Sequence, residues 1–197
     1  MAKLDKALNE LWKVEYSNNA ALMLHNIEGD SGGMTYCGIS RRYHPNWKGW
    51  IYIDNDIKLS SSLKEASKSL SNNYVVNNLV FEFYNIEFWH SIKGSSIKKQ
   101  AIATEMFLSC VNIGIIPCIK LAQKTVGVTV DGLFGINTLT ALNNTTSKMF
   151  CKKYTELEIQ HYKDLVRRNS SKAKFLNGWI ARAYAVSDKN AEVLDYE

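Results

Sequence analysis

His25-Asn26-Ile27-Glu28-Gly29-Asp30-Ser31-Gly32-Gly33-Met34-Thr35-Tyr36-Cys37-Gly38-Ile39-Ser40 is where the character of the chain changes. Upstream, Leu4, Leu8, Leu11 and Trp12 share one helical face. Ala20 to Ile27 continues in helical-type residues up to Glu28, with Asn18-Asn19 either interrupting the pattern or starting a second helix. Gly29 then reads as the stop just past a helix end. Glycine recurs at 32, 33, 38 and 49, with Pro45 among them, so residues 29–58 read as tightly turning backbone where a site could form. Within them, Thr35 to Ile39 suits a strand or hairpin arm.

Downstream the helical period returns. It runs through Leu63, Ala66, Leu70 and Tyr74, then Val80, Phe83, Tyr84 and Phe88, ending near Trp89. Lys93-Gly94-Ser95-Ser96 is a break. A third long pattern (Ile102, Met106, Phe107, Cys110, Val111) is interrupted by Gly114 and Pro117. Short helices are expected over Ile119 to Val126 and from Thr138 to Leu142, a charged amphipathic helix over 148–168, and a last one near Phe175 to Tyr184. The expected fold class is mainly α with a small hairpin or loop element beside Glu28, either one compact domain or two tightly joined lobes.

The composition fits a globular protein: 197 residues, 46% hydrophobic, formal charge +5. The charge eases contact with an anionic polymer without choosing one, because the lysines are spread along the chain. Met1-Ala2-Lys3-Leu4-Asp5-Lys6 does not open a secretory signal, and no stretch is apolar enough to span a bilayer. Synthesis in the cytoplasm is expected, with some other release route if the protein works outside. Cys37, Cys110, Cys118 and Cys151 lack C-x-x-C spacing and read as packing thiols. The histidines at 25, 44, 90 and 161 lack metal-ligand spacing, so neither zinc nor another cofactor is expected.

Glu28 is the first candidate for chemistry. A carboxylate at a helix C-terminus meets the negative end of the helix dipole, and burial raises its proton affinity further. A proton-holding Glu is what glycosidic cleavage needs as general acid. Asp30 and Thr35 follow closely and could hold a water on the opposite side of a sugar. The same spacing also suits a Glu that merely faces solvent at a helix end. Tyr36, Trp47 and Trp50, read as loop residues, could stack on sugar faces, whereas Trp89 falls in helical period and reads as core. Asn112 could bind an N-acetyl group or satisfy a backbone group. In Asp131-Gly132-x-x-Gly135-x-x-Thr138 the glycines suit turns and Asp131 or Thr138 suits a cap, with glycan contact second.

The stretch from His25 to Ser40 resembles the N-terminal signature of glycoside hydrolase family 108: a helix, E-G-G, an extended loop, D-P-G-G, then T-x-x-G-I-T. Val80-x-x-Phe83-Tyr84-x-x-x-Phe88-Trp89 resembles the family's aromatic helix. Val111-Asn112-Ile113-Gly114, Lys120 to Gln123 and Val130 to Leu139 are similar to its predicted peptidoglycan-binding lobe, and Phe175 to Arg182 to the closing helix. The resemblance runs in order over roughly residues 18–184. Family members are bacterial and phage N-acetylmuramidases, including endolysins and proteins once called secretion activators.

The resemblance implies a lysozyme-like fold, with a catalytic part at 1–92 and a peptidoglycan-binding-like part at 93–197 packed as one body. It implies cleavage of the β-1,4 bond after N-acetylmuramic acid, with Glu28 as acid and Asp30 and Thr35 beside it. Tyr36, Trp47, Trp50 and Asn112 are the expected substrate-binding residues. Peptidoglycan is the expected partner, with no nucleic acid, no stable membrane insertion and a monomeric state. This chain departs from the pattern in a shorter loop between Glu28 and Gly32-Gly33, which sets Asp30 only two residues after Glu28. Asp54 or Asp56 is therefore the reserve second carboxylate. The alternatives are an inactive wall-binding or secretion-assisting protein and a lytic transglycosylase.

Overall fold

The computed structural model describes residues 1–26 and 33–193, with side chains to residue 187. Glu28, Gly29 and Asp30 lie outside the described residues. Among the described residues there are nine α-helices and one small antiparallel sheet.

Helix α1, Leu4–Tyr16, turns Leu4, Ala7, Leu8 and Leu11 inward, the face expected from their spacing. It does not continue toward residue 27. Ser17 and Asn18 take left-handed φ values of 49° and 56°, which no helix tolerates. A short 3₁₀ turn follows at Ala20–Leu22, with the Asn19 side chain accepting from the Ala21 amide, and the chain then becomes strand β1, Leu24–His25. The expected helix before Glu28 is therefore corrected to a strand. Strand β1 pairs with β2, Thr35–Tyr36, placing His25 opposite Thr35, and β2 pairs with β3, Ile39–Ser40. The expected hairpin arm is present.

A second correction concerns residues 49–58. They belong to helix α2, Gly49–Leu59, rather than to loop. Its inward positions, Trp50 and Ile53, are three apart and fully or almost fully buried, a helical repeat hidden among aromatic and β-branched residues. Helix α3, Leu63–Ser71, starts at Ser62, whose hydroxyl accepts from the Glu65 amide, while the Glu65 carboxylate accepts from the Ser61 amide and hydroxyl. Helix α4 spans Tyr74–Tyr84 and passes into a π-helical turn at Asn85–Trp89.

Helix α5, Gln100–Ile113, is buried at every position from Ala101 to Cys110, the signature of a helix surrounded by others. Gly114, at φ 89°, ends it. Helix α6, Ile115–Val126, begins at once; Pro117 lies in its first turn, where a missing N–H costs nothing, so it interrupts nothing. Helices α7 (Ile136–Asn144), α8 (Ser147–Arg168) and α9 (Ala173–Val193) complete the order. Cys37, Cys110, Cys118 and Cys151 are buried thiols. No helix among the described residues is long and apolar enough to cross a membrane.

Backbone contacts divide the chain into two compact units. One is Glu15–Tyr84; the other joins Met1–Val14 to the chain from Asn85 onward. The chain start is tied into the second unit by the Ala2 amide donating to the Ile97 carbonyl (2.9 Å) and by Gln100, which bonds both the amide and the carbonyl of Lys3.

The Asp131 turn is held from beneath by Gln123, which is 1% exposed. Its amide nitrogen donates to the Asp131 carboxylate (2.7 Å) and the Leu133 carbonyl (3.0 Å), and its oxygen accepts from the Gly132 amide (2.9 Å). Asp131 also accepts from the Leu133 amide, and these bonds lower its pKa. The turn-building role expected for Asp131 and Gly132 (φ 80°) is what the geometry shows. Gln123→Ala leaves buried backbone groups without partners, so a loss of about 2–3 kcal/mol is expected, readable as a lower denaturant midpoint at unchanged m.

Candidate functional site

In the Glu15–Tyr84 unit the hairpin is the organising element. Its central residues, Cys37 and Gly38, carry φ values of 47° and 78°, the positive pair a two-residue type I′ hairpin requires. Glycine accepts this freely; cysteine does not. The turn is held by its surroundings. The buried Tyr84 hydroxyl donates to the Cys37 carbonyl at 2.7 Å, and the Cys37 amide donates to the Met23 carbonyl at 2.9 Å. The Gly38 amide is bonded to the Tyr16 hydroxyl. Burial drives the Tyr16 and Tyr36 hydroxyls well above the ordinary tyrosine range and pushes the Cys37 thiol up to about 12. All three are neutral at pH 7, as a low-dielectric support for a turn demands.

The turn fixes Thr35. Thr35 is buried, its hydroxyl donates to the Gly33 carbonyl at 3.1 Å, and its backbone is paired with His25 and Ser40. His25 and Thr35 face each other across β1 and β2, so the connection that carries Glu28 and Asp30 has both ends clamped in one sheet. Leu24 is held in turn by the Ser67 hydroxyl, which accepts from its amide at 3.0 Å.

The remaining sequence candidates separate. Asp54 is ion-paired to Arg41 at 2.7 Å, and the Arg41 guanidinium lies 4.5 Å from the Trp50 ring centre. Asp56 has one carboxylate oxygen buried without a hydrogen-bond partner. Tyr36 is wholly buried and Trp50 is 4% exposed, so neither ring has a face open to a sugar. Trp50 packs edge-on against Trp47 and donates to the His44 carbonyl. Trp47 is half-buried and, of the three aromatic candidates, is the one that keeps open surface. Tyr16 and Tyr84 were not legible as functional; each reaches the turn from more than twenty residues away, and no local pattern marks such a contact.

In the other unit, Asn112 stands exposed at the end of α5. Its side-chain amide donates to the Tyr162 hydroxyl (2.6 Å), which donates to the buried Glu158 carboxylate (2.7 Å). Asn112 thus satisfies a side chain rather than a backbone group. Burial raises the Glu158 pKa, with the Tyr162 and Ser109 hydrogen bonds and the Arg182 charge opposing. A carboxyl whose folded pKa is raised contributes stability that is complete below its unfolded pKa and lost as pH climbs through the folded one. Glu158→Gln is therefore expected to flatten the melting curve's pH dependence: relative to the variant, wild type gains on going from pH 7 toward 5. Parallel profiles for the two proteins would contradict the buried-acid assignment.

Beside this chain lies a cavity of about 350 Å³ lined by Asn112, Ile113, Pro117, His161, Tyr162, Leu165, Lys172 and Trp179. A second cavity of about 610 Å³ lies over the Asp131 turn. Among the described residues no group of His, Cys, Asp and Glu could hold a metal ion.

The architecture is a mainly helical, lysozyme-like fold with a three-stranded sheet at the site. A solved structure, that of Brucella abortus SagA, is similar over 99% of this chain and 98% of its own, with TM-score 0.67 and 16% identity. Residues 23–114 match the model described as Glycosyl hydrolase 108, and residues 117–184 the one described as Predicted Peptidoglycan domain. No curated protein matches the sequence. The two domains define a glycoside hydrolase acting on peptidoglycan. The chain carries a glycosyl hydrolase 108 domain followed by a predicted peptidoglycan domain.

Proposed function

We propose that the protein is an N-acetylmuramidase that hydrolyses the β-1,4 bond between N-acetylmuramic acid and N-acetylglucosamine. The observation that carries this reading is the pairing of His25 with Thr35 in one buttressed sheet, inside the segment that matches the glycosyl hydrolase 108 model; Glu28 and Asp30 fall between these two residues in sequence. Glu28 donates its proton to the leaving O4 of N-acetylglucosamine. Positive charge develops at C1 of the muramyl sugar, and water adds there. Asp30, with the Thr35 hydroxyl, steers that water and takes the proton it releases. Trp47 supplies an aromatic wall. The catalytic role is assigned to residues 1–92 and wall binding to 93–197. The protein acts as a monomer on glycan strands, after release from the cytoplasm, with no cofactor.

The second carboxylate is the part of this reading with a rival. An inverting enzyme holds its carboxyl groups roughly 6.5–9.5 Å apart and a retaining one about 5–5.5 Å. Two residues span the wider gap when Gly29 turns the chain sharply. Asp54 is engaged with Arg41, which disfavours it as a base. Asp30→Asn and Thr35→Ala are each expected to cut release of reducing ends from purified peptidoglycan severely, with Asp54 and Asp56 variants close to wild type. An Asp56→Asn protein that folds and is inactive, beside an active Asp30→Asn, would move the role to α2.

A further inference from the structure

Two sequence motifs that lie more than sixty residues apart line one cavity. Asn112 and Ile113 come from Val111-Asn112-Ile113-Gly114 at the end of α5; Trp179 comes from Asn177-Gly178-Trp179 in α9. Between them stand Pro117 from α6, His161, Tyr162 and Leu165 from α8, and Lys172.

The hydrogen bonds beneath the cavity settle what Asn112 presents. Glu158 is 3% exposed and accepts from the Tyr162 hydroxyl. With its proton so committed, the Tyr162 oxygen is left to accept, and it does so from the Asn112 amide nitrogen. With the nitrogen tethered, the carbonyl oxygen is the acceptor that the exposed Asn112 side chain has left to offer. Tyr162 and Phe175 both stack on Trp179, at 5.3 and 5.8 Å, and so limit the ring face that Trp179 can offer. It contributes an apolar edge beside Ile113, Pro117 and Leu165. His161 and Lys172 add polar groups at the wall, and no carboxylate is among the described residues that line the cavity.

We propose that this cavity is a sugar subsite that recognises the acetamido group of a β-1,4-linked N-acetylhexosamine. The Asn112 carbonyl accepts the acetamido N–H, the acetyl methyl meets the apolar wall of Ile113, Pro117 and Trp179, and His161 and Lys172 bond ring hydroxyls. An amide N–H and a methyl presented together on one sugar are what this pairing of one aimed acceptor with an apolar wall selects. The Glu158–Tyr162 pair acts as a positioning device, since it fixes the Asn112 amide without touching the sugar. The proposal deepens the muramidase reading but is separable from it.

The test is calorimetric titration of the Glu28→Gln protein with chitotetraose and with cellotetraose, which has hydroxyls where chitotetraose has acetamido groups. Chitotetraose is expected to bind and cellotetraose to bind at least tenfold more weakly. Asn112→Ala, an exposed change that leaves the core alone, is expected to weaken chitotetraose about tenfold. In the active protein the same change should raise KM on peptidoglycan with kcat unchanged. Tyr162→Phe, its folding checked by circular dichroism, should weaken binding by releasing the amide. Equal affinity for the two sugars, or an Asn112→Ala affinity equal to the parent's, overturns the subsite. Sugar binding that depends on Asn112 in a protein without wall cleavage would uphold the subsite and overturn the muramidase reading instead.

Discussion

Glu28→Gln is expected to lower peptidoglycan cleavage about 10²- to 10⁴-fold, the range general acid catalysis contributes. The melting temperature should stay near wild type. The amide keeps the size and shape of the carboxyl group but cannot deliver a proton to the departing O4 alkoxide, a poor leaving group without it. The strand at Leu24–His25 removes the helix dipole as a source of raised proton affinity for Glu28. A raised proton affinity then has to come from desolvation rather than from a helix end. A well-folded variant that retains a tenth of wild-type turnover would show that Glu28 is not the acid.

Gly38→Ala is the substitution expected to damage the fold of the site most. At φ 78° an L-residue costs about 1–2 kcal/mol. Its methyl would also sit 2.7 Å from the Tyr84 hydroxyl, the far end of a rigid buried ring. Moving that ring breaks its bond to the Cys37 carbonyl and strands a buried acceptor, a further cost of about 1–3 kcal/mol. A total of about 2–5 kcal/mol is a large part of the stability of an ordinary domain. The origin can be checked by a double-mutant cycle. Tyr84→Phe removes both the clashing hydroxyl and the hydrogen bond, so Gly38→Ala should cost markedly less in that background. Strict additivity would show that the clash is not the cause. Activity should fall with the turn, because Thr35 is held by the same hairpin.

The long helices were legible because their apolar spacing repeats over three turns or more. Helix α8 begins at Ser147 against an expected 148 and ends where expected, at 168. The break at Gly114 was legible as well, since its positive φ is a property of the residue type. Residues 20–25 misled because Ala, Leu and Met favour helix. Two left-handed residues, Ser17 and Asn18, and the pairing of His25 with Thr35 override that preference, and both are tertiary effects. Helix α2 was hidden for the opposite reason: Trp50-Ile51-Tyr52-Ile53 favours strand locally, and burial of Trp50 and Ile53 on one face decides for helix. Asn112 was legible as a candidate, but the Glu158–Tyr162 pair that aims it was not, since its members lie some fifty residues away in sequence. Tyr36 shows the limit from the other side: an aromatic that reads as a loop residue is a wholly buried strand residue.

The central claim is tested most directly by mass spectrometry of the sugar ends that wild-type protein releases from purified peptidoglycan. The account predicts N-acetylmuramic acid at every new reducing end, each carrying one added water, with Glu28→Gln forming them about a hundredfold or more slowly. New N-acetylglucosamine reducing ends, 1,6-anhydromuramic ends, or an unchanged wall would contradict it.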